Sequence, residues 1–417
     1  MKLQLLLCLA LVLSGGLLGC STNHSVGTTP IVYPWIGFNG KQLLVRNQLW
    51  DVESGEEICQ FAVPPQITFS NGVPHGYGYV VAAAISPDGK KVLTATDQSI
   101  GPGESGLRPG PIQLWDIASG RKILEFKPDE LIEVAQFLPD AKHIVTMSDG
   151  RKYPIQIWDA KTGQRLLALP DRPVSDLSPQ PVNFSPDGRL IATESSAGIH
   201  GHGYETVNIW NPITGRKICT IEDTTNSFFD SAQFSPDGKS ILTGESVVLT
   251  NIRGVVTNTQ RVASIWDAKT GRRIRGFVPV GLPLFTSDGR KIIGGSVRNN
   301  CTIMLCDAKS GKEIRQFTIP GAEGWWYADK IMLSDDGKRL VVQYQAGSTQ
   351  TAVALWNTDT GELIKEFDNG VAISGETVIG FSPESENFLL FDQKLKPELI
   401  DGATGKRLKI LEHFRQP

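Results

Sequence analysis

The chain has 417 residues, 40% of them hydrophobic, which is enough for a large buried core and excludes general disorder. Lys and Arg number 41 against 44 Asp and Glu, so the net charge of −3 gives no basis for a nucleic-acid partner. The 43 glycines and 25 prolines point to many tight turns, and six cysteines are too few for a disulfide framework at this length.

In chain order, the first element is an address. Lys2 is followed by an apolar run from Leu3 to Leu13 broken only by Gln4. That run is too short to span a bilayer and has the length of a secretory hydrophobic segment. It ends in Leu17-Leu18-Gly19-Cys20, which resembles the bacterial lipobox. The resemblance implies cleavage before Cys20, a lipid on the new N-terminal cysteine, and residues 1–19 as signal peptide. Residues 20–30 then form a polar tether of Ser, Thr, Gly and Asn.

From residue 31 onward one pattern recurs eight times: an aliphatic residue, usually Trp, Asp or Asn, two variable residues, Ser or Thr, and Gly. The Trp positions are Trp50, Trp115, Trp158, Trp210, Trp266, Cys306, Trp356 and Ile400, and a Gly lies five residues after each. Three residues past each Gly is an apolar residue (Ile58, Ile123, Leu166, Ile218, Ile274, Ile314, Ile364, Leu408). Three further on is a second (Phe61, Phe126, Leu169, Ile221, Phe277, Phe317, Phe367, Leu411). The aliphatic-Trp pair reads as a strand end and Asp, Ser/Thr and Gly as a turn, because the first two bond local amides and Gly accepts positive φ. The spacing of three in the next strand departs from alternation and implies a bulge.

A second signal precedes most copies, as in Ile85-Ser86-Pro87-Asp88-Gly89-Lys90, Phe184-Ser185-Pro186-Asp187-Gly188 and Phe234-Ser235-Pro236-Asp237-Gly238. Pro presets φ at the second position of a type I turn and Gly takes the fourth. Each unit of about fifty residues therefore reads as four strands, which indicates an all-β propeller of four-stranded antiparallel blades. Eight blades are favoured and seven are the alternative, because in the first unit Trp50 follows Gly40 by only ten positions.

The units resemble WD-repeats of the bacterial kind over residues 31 to 411, and secondarily quinoprotein-type propellers and the outer-membrane assembly lipoprotein built on them. The family's Gly-His pair before the first strand is missing, so its buried hydrogen-bond tetrad is not expected, and the blades are expected to rest on apolar packing.

Four antiparallel strands place the two short turns of every unit on one face and the variable loops, roughly 62–78, 97–111, 194–206, 245–262, 318–326 and 344–352, on the other. Elaboration of one face suggests that binding uses it. Its loops carry His75, Tyr77, His200, His202, Tyr204 and the run Trp325-Trp326-Tyr327. The run reads as an exposed anchor or as rim packing. His200 and His202 without a third ligand read as a solvated Gly-rich loop, and no metal or cofactor is expected. No nucleophile elbow, zinc-protease motif or phosphate-cradling loop is found, so no catalysis is expected. Cys59, Cys219, Cys301 and Cys306 read as small packing residues. The leading expectation is a lipid-anchored scaffold facing the periplasm or exterior, in the outer membrane of a diderm host, that binds protein or peptide partners. A propeller enzyme or cofactor binder and a glycan binder are the alternatives.

Overall fold

The computed structural model describes residues 36–410 except 46–47, 62–67, 71–72, 76–78, 100–106, 133, 149–154, 170–182, 196–205, 223–226, 251–255, 277–280, 296–301, 320–327, 347–349, 369–377, 383–384 and 392–396. Among these residues there is no helix.

The chain is an all-β propeller of eight four-stranded antiparallel blades. We number them 1 to 8, at residues 36–60, 79–126, 134–169, 183–222, 227–276, 281–318, 328–368 and 378–410. Every blade is built from four consecutive strands, which excludes the seven-bladed reading. Blade 1 begins with Ile36–Phe38, ahead of Gly40, and its first turn is made by Asn39 and Gly40 without the Pro-Asp-Gly signature. A separate two-stranded hairpin, Thr68–Ser70 with Val73–His75, lies between blades 1 and 2 in the chain. Contacts group the blades into two compact units, blades 1 to 3 within Gly15–Pro181 and blades 4 to 8 within Val182–Pro417.

The turn chemistry recurs from blade to blade. In blade 2, the Gly89 amide donates to the Ser86 carbonyl at 2.8 Å, and the Ser86 hydroxyl donates to Asp88 at 2.6 Å. Gly89 sits at φ 67°, where a Cβ would be strained. Blade 3 has Ala141 there, at φ 55°, the one non-glycine residue with positive φ among the described residues. In the second turn the Asp159 carboxylate accepts the Thr162 amide at 2.7 Å and the Thr162 hydroxyl at 3.0 Å.

The spacing of three after each second turn has a structural cause. In all eight blades the register of the third and fourth strands slips by one residue beside the Trp position. The extra residue is the first recurrent apolar one. Seven of these eight, such as Ile58 at 38% and Ile274 at 57%, are exposed, and Ile364 is half-buried. In several blades the second apolar residue packs into the neighbouring blade. Phe61 meets Trp115 at 5.7 Å between ring centroids, Phe126 meets Trp158 at 5.0 Å, and Phe317 meets Trp356 at 6.3 Å. Such aromatic pairs contribute about 0.5–1.5 kcal/mol beyond their buried area.

Candidate functional site

The two ends of the blades differ in construction. At one end the two short turns of a blade are joined by a backbone hydrogen bond. Ile117 donates to Lys90 at 2.9 Å, Ala160 to Lys142 at 2.8 Å, Ala268 to Lys239 at 2.9 Å and Ala308 to Arg290 at 2.8 Å. The carboxylates here are occupied. The hydroxyl of Ser119, and then its amide, hold the Asp116 carboxyl below its usual range, and Thr270 and Ser310 do the same for Asp267 and Asp307. Cations from one blade also grip the next blade's turn. Arg315 donates to the carbonyls of Asp359 and Thr360, both at 2.8 Å, and Lys365 to that of Gly405 at 2.9 Å.

Between the ends lies the tryptophan layer. Trp50, Trp115, Trp158, Trp210, Trp266 and Trp356 are all buried, as are Cys306 and Ile400 at the same repeat position. Packing is not the whole account of this layer, and the expectation that the blades rest on apolar contacts alone is corrected. The indole N–H donates to a buried threonine hydroxyl in blades 2 to 5: Trp115 to Thr94 at 3.0 Å, Trp158 to Thr146 at 2.9 Å, Trp210 to Thr193 at 2.9 Å and Trp266 to Thr243 at 2.7 Å. Each threonine lies two residues beyond the cross-strand neighbour of its tryptophan. At the same register stand Val342 beside Trp356, Gly294 beside Cys306 and Leu390 beside Ile400. Blade 1 has Val45 there, and the Trp50 indole nitrogen has no hydrogen-bond partner among the described residues. A reader comparing second strands could have seen the Thr–Trp pairing, but only with the register in hand.

Two residues past the threonine position, toward the other end, are buried polar groups: Thr96, Glu245 and Tyr344 in the second strands and Ser148 just after one. Their bonds are local. Thr96 donates to the Pro111 carbonyl at 3.0 Å, Ser148 to Glu130 at 2.6 Å and Tyr344 to Glu366. Glu245 accepts Thr243 at 2.7 Å and Arg273 at 3.0 Å, and the Arg273 guanidinium stacks 4.5 Å over Trp266. In blades 2, 5 and 7 these bonds tie the second strand to the third or fourth, with cation–π attraction added in blade 5, whereas Ser148 bonds the segment that leads into blade 3.

The far end is the elaborated one. Stretches read from sequence as loops prove largely to be strand. In blade 2, Lys91–Ser99 pairs with Leu107–Asp116. In blade 5, Ser240–Thr250 pairs with Val256–Asp267, and in blade 7 Arg339–Ala346 pairs with Gln350–Asn357. In blade 3 the corresponding strands, His143–Met147 and Ile155–Asp159, are only five residues each. The blade 5 hairpin is long because β-branched residues flank Asn251 to Gly254 on both sides, so strand propensity extends to the tip.

His75 lies in the second strand of the small hairpin. Tyr77, His200, His202, Tyr204, Trp325, Trp326 and Tyr327 lie outside the described residues, as do Cys20 and Cys301. Cys59, Cys219 and Cys306 are free thiols. Burial pushes the Cys59 thiol up to about 11 and raises those of Cys219 and Cys306, the behaviour of packing groups rather than nucleophiles. The Cys219 thiol rests 3.4 Å from the Ala268 carbonyl of the next blade. Among the described residues no cluster of His, Cys, Asp or Glu could hold a metal, and no helix is long and apolar enough to cross a membrane.

No protein-family model and no curated protein matches the chain. Among solved structures it is similar to the crystal structure of the computationally designed Ika8 protein, with a TM-score of 0.54 at 15% identity, covering 87% of this chain and 94% of that one. At that identity the likeness carries the fold alone, and the fold is the β-propeller of eight blades.

Proposed function

We propose that this chain is a lipid-anchored β-propeller of the bacterial cell envelope that serves as a scaffold for protein or peptide partners and performs no chemistry of its own. The observation that carries the reading is the asymmetry between the two ends of the blades. One end is closed by short turns bonded to each other, and the other projects paired strands past the blade body. A rigid scaffold that presents extended elements on one side is built for recognition. The anchor follows from the lipobox ending in Cys20, with residues 20–30 as tether. A single acyl chain holds a membrane only marginally, so stable attachment needs two or more. The near-neutral charge favours neither nucleic acid nor direct electrostatic binding.

The test is capture from solubilised membranes with the full chain, beside a variant whose blade 5 hairpin is cut back between residues 246 and 260. A partner held by the wild type and lost on shortening, with unchanged circular dichroism, supports the reading. A partner held equally by both variants refutes the choice of face. Membrane fractionation of Cys20→Ser as for the wild type refutes the anchor.

A further inference from the structure

Over the whole chain the charges nearly cancel, with 41 Lys and Arg against 44 Asp and Glu. At the short-turn end of blades 4 to 6 they do not. Residues 187–190, 211–218, 237–240, 267–275, 288–291 and 307–314 hold twelve Lys and Arg and six Asp and Glu. Five of the six carboxylates are turn aspartates that accept amides and hydroxyls of their own turn, as Asp237 does from Lys239 at 3.0 Å and Ser235 at 2.6 Å. Arg189, Lys239 and Arg290 occupy the same repeat position. Their side chains are 84%, 78% and 83% exposed and stand 3.7, 3.7 and 3.9 Å from the aspartate of their turn. Pairs this exposed and this long hold the charges only weakly. Arg216, Lys269, Arg272, Lys309 and Lys312 are exposed as well. Lys217 and Arg273 instead turn in, over the rings of Trp210 and Trp266.

Exposed aliphatic side chains stand among these cations. Ile218, Ile274 and Ile314 are the bulge residues of the fourth strands, and Ile213 sits in the second turn of blade 4. They are interleaved with charge, as Arg216-Lys217-Ile218, Arg272-Arg273-Ile274-Arg275 and Lys312-Glu313-Ile314. The three blade ends abut. The Cys219 thiol of blade 4 meets the Ala268 carbonyl of blade 5 at 3.4 Å, and Arg275 of blade 5 donates to the Ser310 carbonyl of blade 6 at 3.3 Å. Pro186 and Pro236 lie close against Gly238 and Gly289 in the first turn of the next blade. The combination stops at blade 7, where residues 335–339 and 357–364 hold two Lys and Arg against four Asp and Glu. Arg339 there is held by Glu386 at 2.7 Å.

We infer that the short-turn end of blades 4 to 6 docks on a bilayer that carries anionic phospholipid headgroups. Scattered single aliphatics on a surface need no explanation. Aliphatics set among exposed cations are what a membrane surface selects, because apolar side chains enter the headgroup boundary while cations meet anionic lipid. The stems of Lys and Arg lie along apolar surface as their heads reach the charge. A nucleic acid has no use for Ile213 and Ile274. A folded acidic protein requires carboxylates in a fixed pattern, whereas a motif repeated at each blade fits a fluid field of headgroups without register. Ile36 follows Cys20 by sixteen positions, so a lipid on Cys20 holds the start of blade 1 within about 55 Å of the bilayer. The inference rests on the lipid-anchored reading for this proximity, and it supplies the second attachment that a single acyl chain needs. It also points the long hairpin of blade 5 away from the membrane, toward partners.

The experiment uses the full-length chain with Cys20→Ser, so that no acyl chain contributes. It is sedimented with vesicles of phosphatidylcholine alone, or of phosphatidylcholine and phosphatidylglycerol in equal parts. Residues 1–19 are the same in every arm. Binding is expected on the anionic vesicles, and it should fall as ionic strength rises from about 0.1 M to about 1 M and the screening length shrinks from about 10 Å to about 3 Å. A cation near an anionic surface contributes about fivefold in affinity, so Arg216→Glu, Lys269→Glu and Lys312→Glu together should weaken binding roughly a hundredfold or more. Ile274→Asn with Ile314→Asn should weaken it about tenfold or more. Ile58→Asn, at the same repeat position beside Glu56 and Glu57 in blade 1, should change nothing, nor should Arg108→Glu at the far end of blade 2. Circular dichroism of each variant is expected to match the parent. Equal binding to both vesicle types, or equal losses from Ile58→Asn and from the Ile274→Asn pair, overturns the inference. So does binding of a DNA duplex or polyglutamate without binding of anionic vesicles, which marks the surface as a site for an acidic polymer. The anchor is scored separately, by membrane fractionation after a wash at about 1 M salt, which strips surface attachment and leaves lipid. A Cys20→Ser chain that ignores anionic vesicles therefore sinks this surface and leaves the anchor standing.

Discussion

The Thr146–Trp158 bond in blade 3 allows a worked test of what holds the tryptophan layer. Thr146 is 1% exposed and Trp158 5%, and the indole N–H donates to the hydroxyl at 2.9 Å. Thr146→Val keeps the shape and removes the acceptor. An indole N–H stranded in a dry site costs about 1–3 kcal/mol. The methyl that replaces the hydroxyl recovers up to about 0.8 kcal/mol of transfer energy. The net destabilisation should be about 1–2 kcal/mol, measured by urea unfolding followed by far-UV circular dichroism. Trp158→Phe supplies the control, because it removes the donor. In that background Thr146→Val should be neutral or slightly stabilising, a coupling of about 1 kcal/mol or more. Blade 7 already carries the combination of Val342 and Trp356, so valine is sterically compatible with the site. Equal cost of Thr146→Val in both backgrounds would refute the hydrogen-bond account and leave packing alone.

Further outcomes are expected. Ala141→Gly should stabilise the protein by about 1 kcal/mol by relieving a left-handed alanine, and an unchanged unfolding midpoint would show that the turn tolerates the Cβ. Asp116, Asp267 and Asp307 titrate below their usual range in the folded chain, so their contribution is present above the unfolded carboxylate value and is lost as pH falls through the folded one. Urea midpoints should therefore drop as pH is lowered below about 4. Asp116→Asn should keep its turn, as Asn211 does by accepting the Thr214 amide at 2.9 Å, and should remove that residue's share of the pH dependence. Trp326→Ala should weaken partner binding at least about thirtyfold, equal to about 2 kcal/mol, whereas Lys239→Glu on the short-turn face should leave it unchanged. Loss of binding on Lys239→Glu alone would place the working surface on the opposite face.

The architecture could be read from the chain because its signals are local. Asp, Ser or Thr and Gly at fixed offsets define a turn through bonds spanning three or four residues, and eight such turns at intervals of about fifty define the blades. Even the bulge left a mark, the spacing of three that runs through Ile123 and Phe126. What could not be read depends on which residues lie across from one another. Thr146 is twelve residues from Trp158, but Thr94 and Thr243 are 21 and 23 from theirs, because the intervening hairpins differ in length. Turn chemistry also hid the first strand of blade 1, where Asn39 and Gly40 replace the usual signature. Strand and loop in the blade 5 hairpin were indistinguishable in sequence, since propensity alone does not say whether Val256–Asp267 finds a partner strand. Only the assembled sheet shows that it pairs with Ser240–Thr250 along its length. Turn identity is set within a few residues of chain, whereas register and burial are properties of strands brought together.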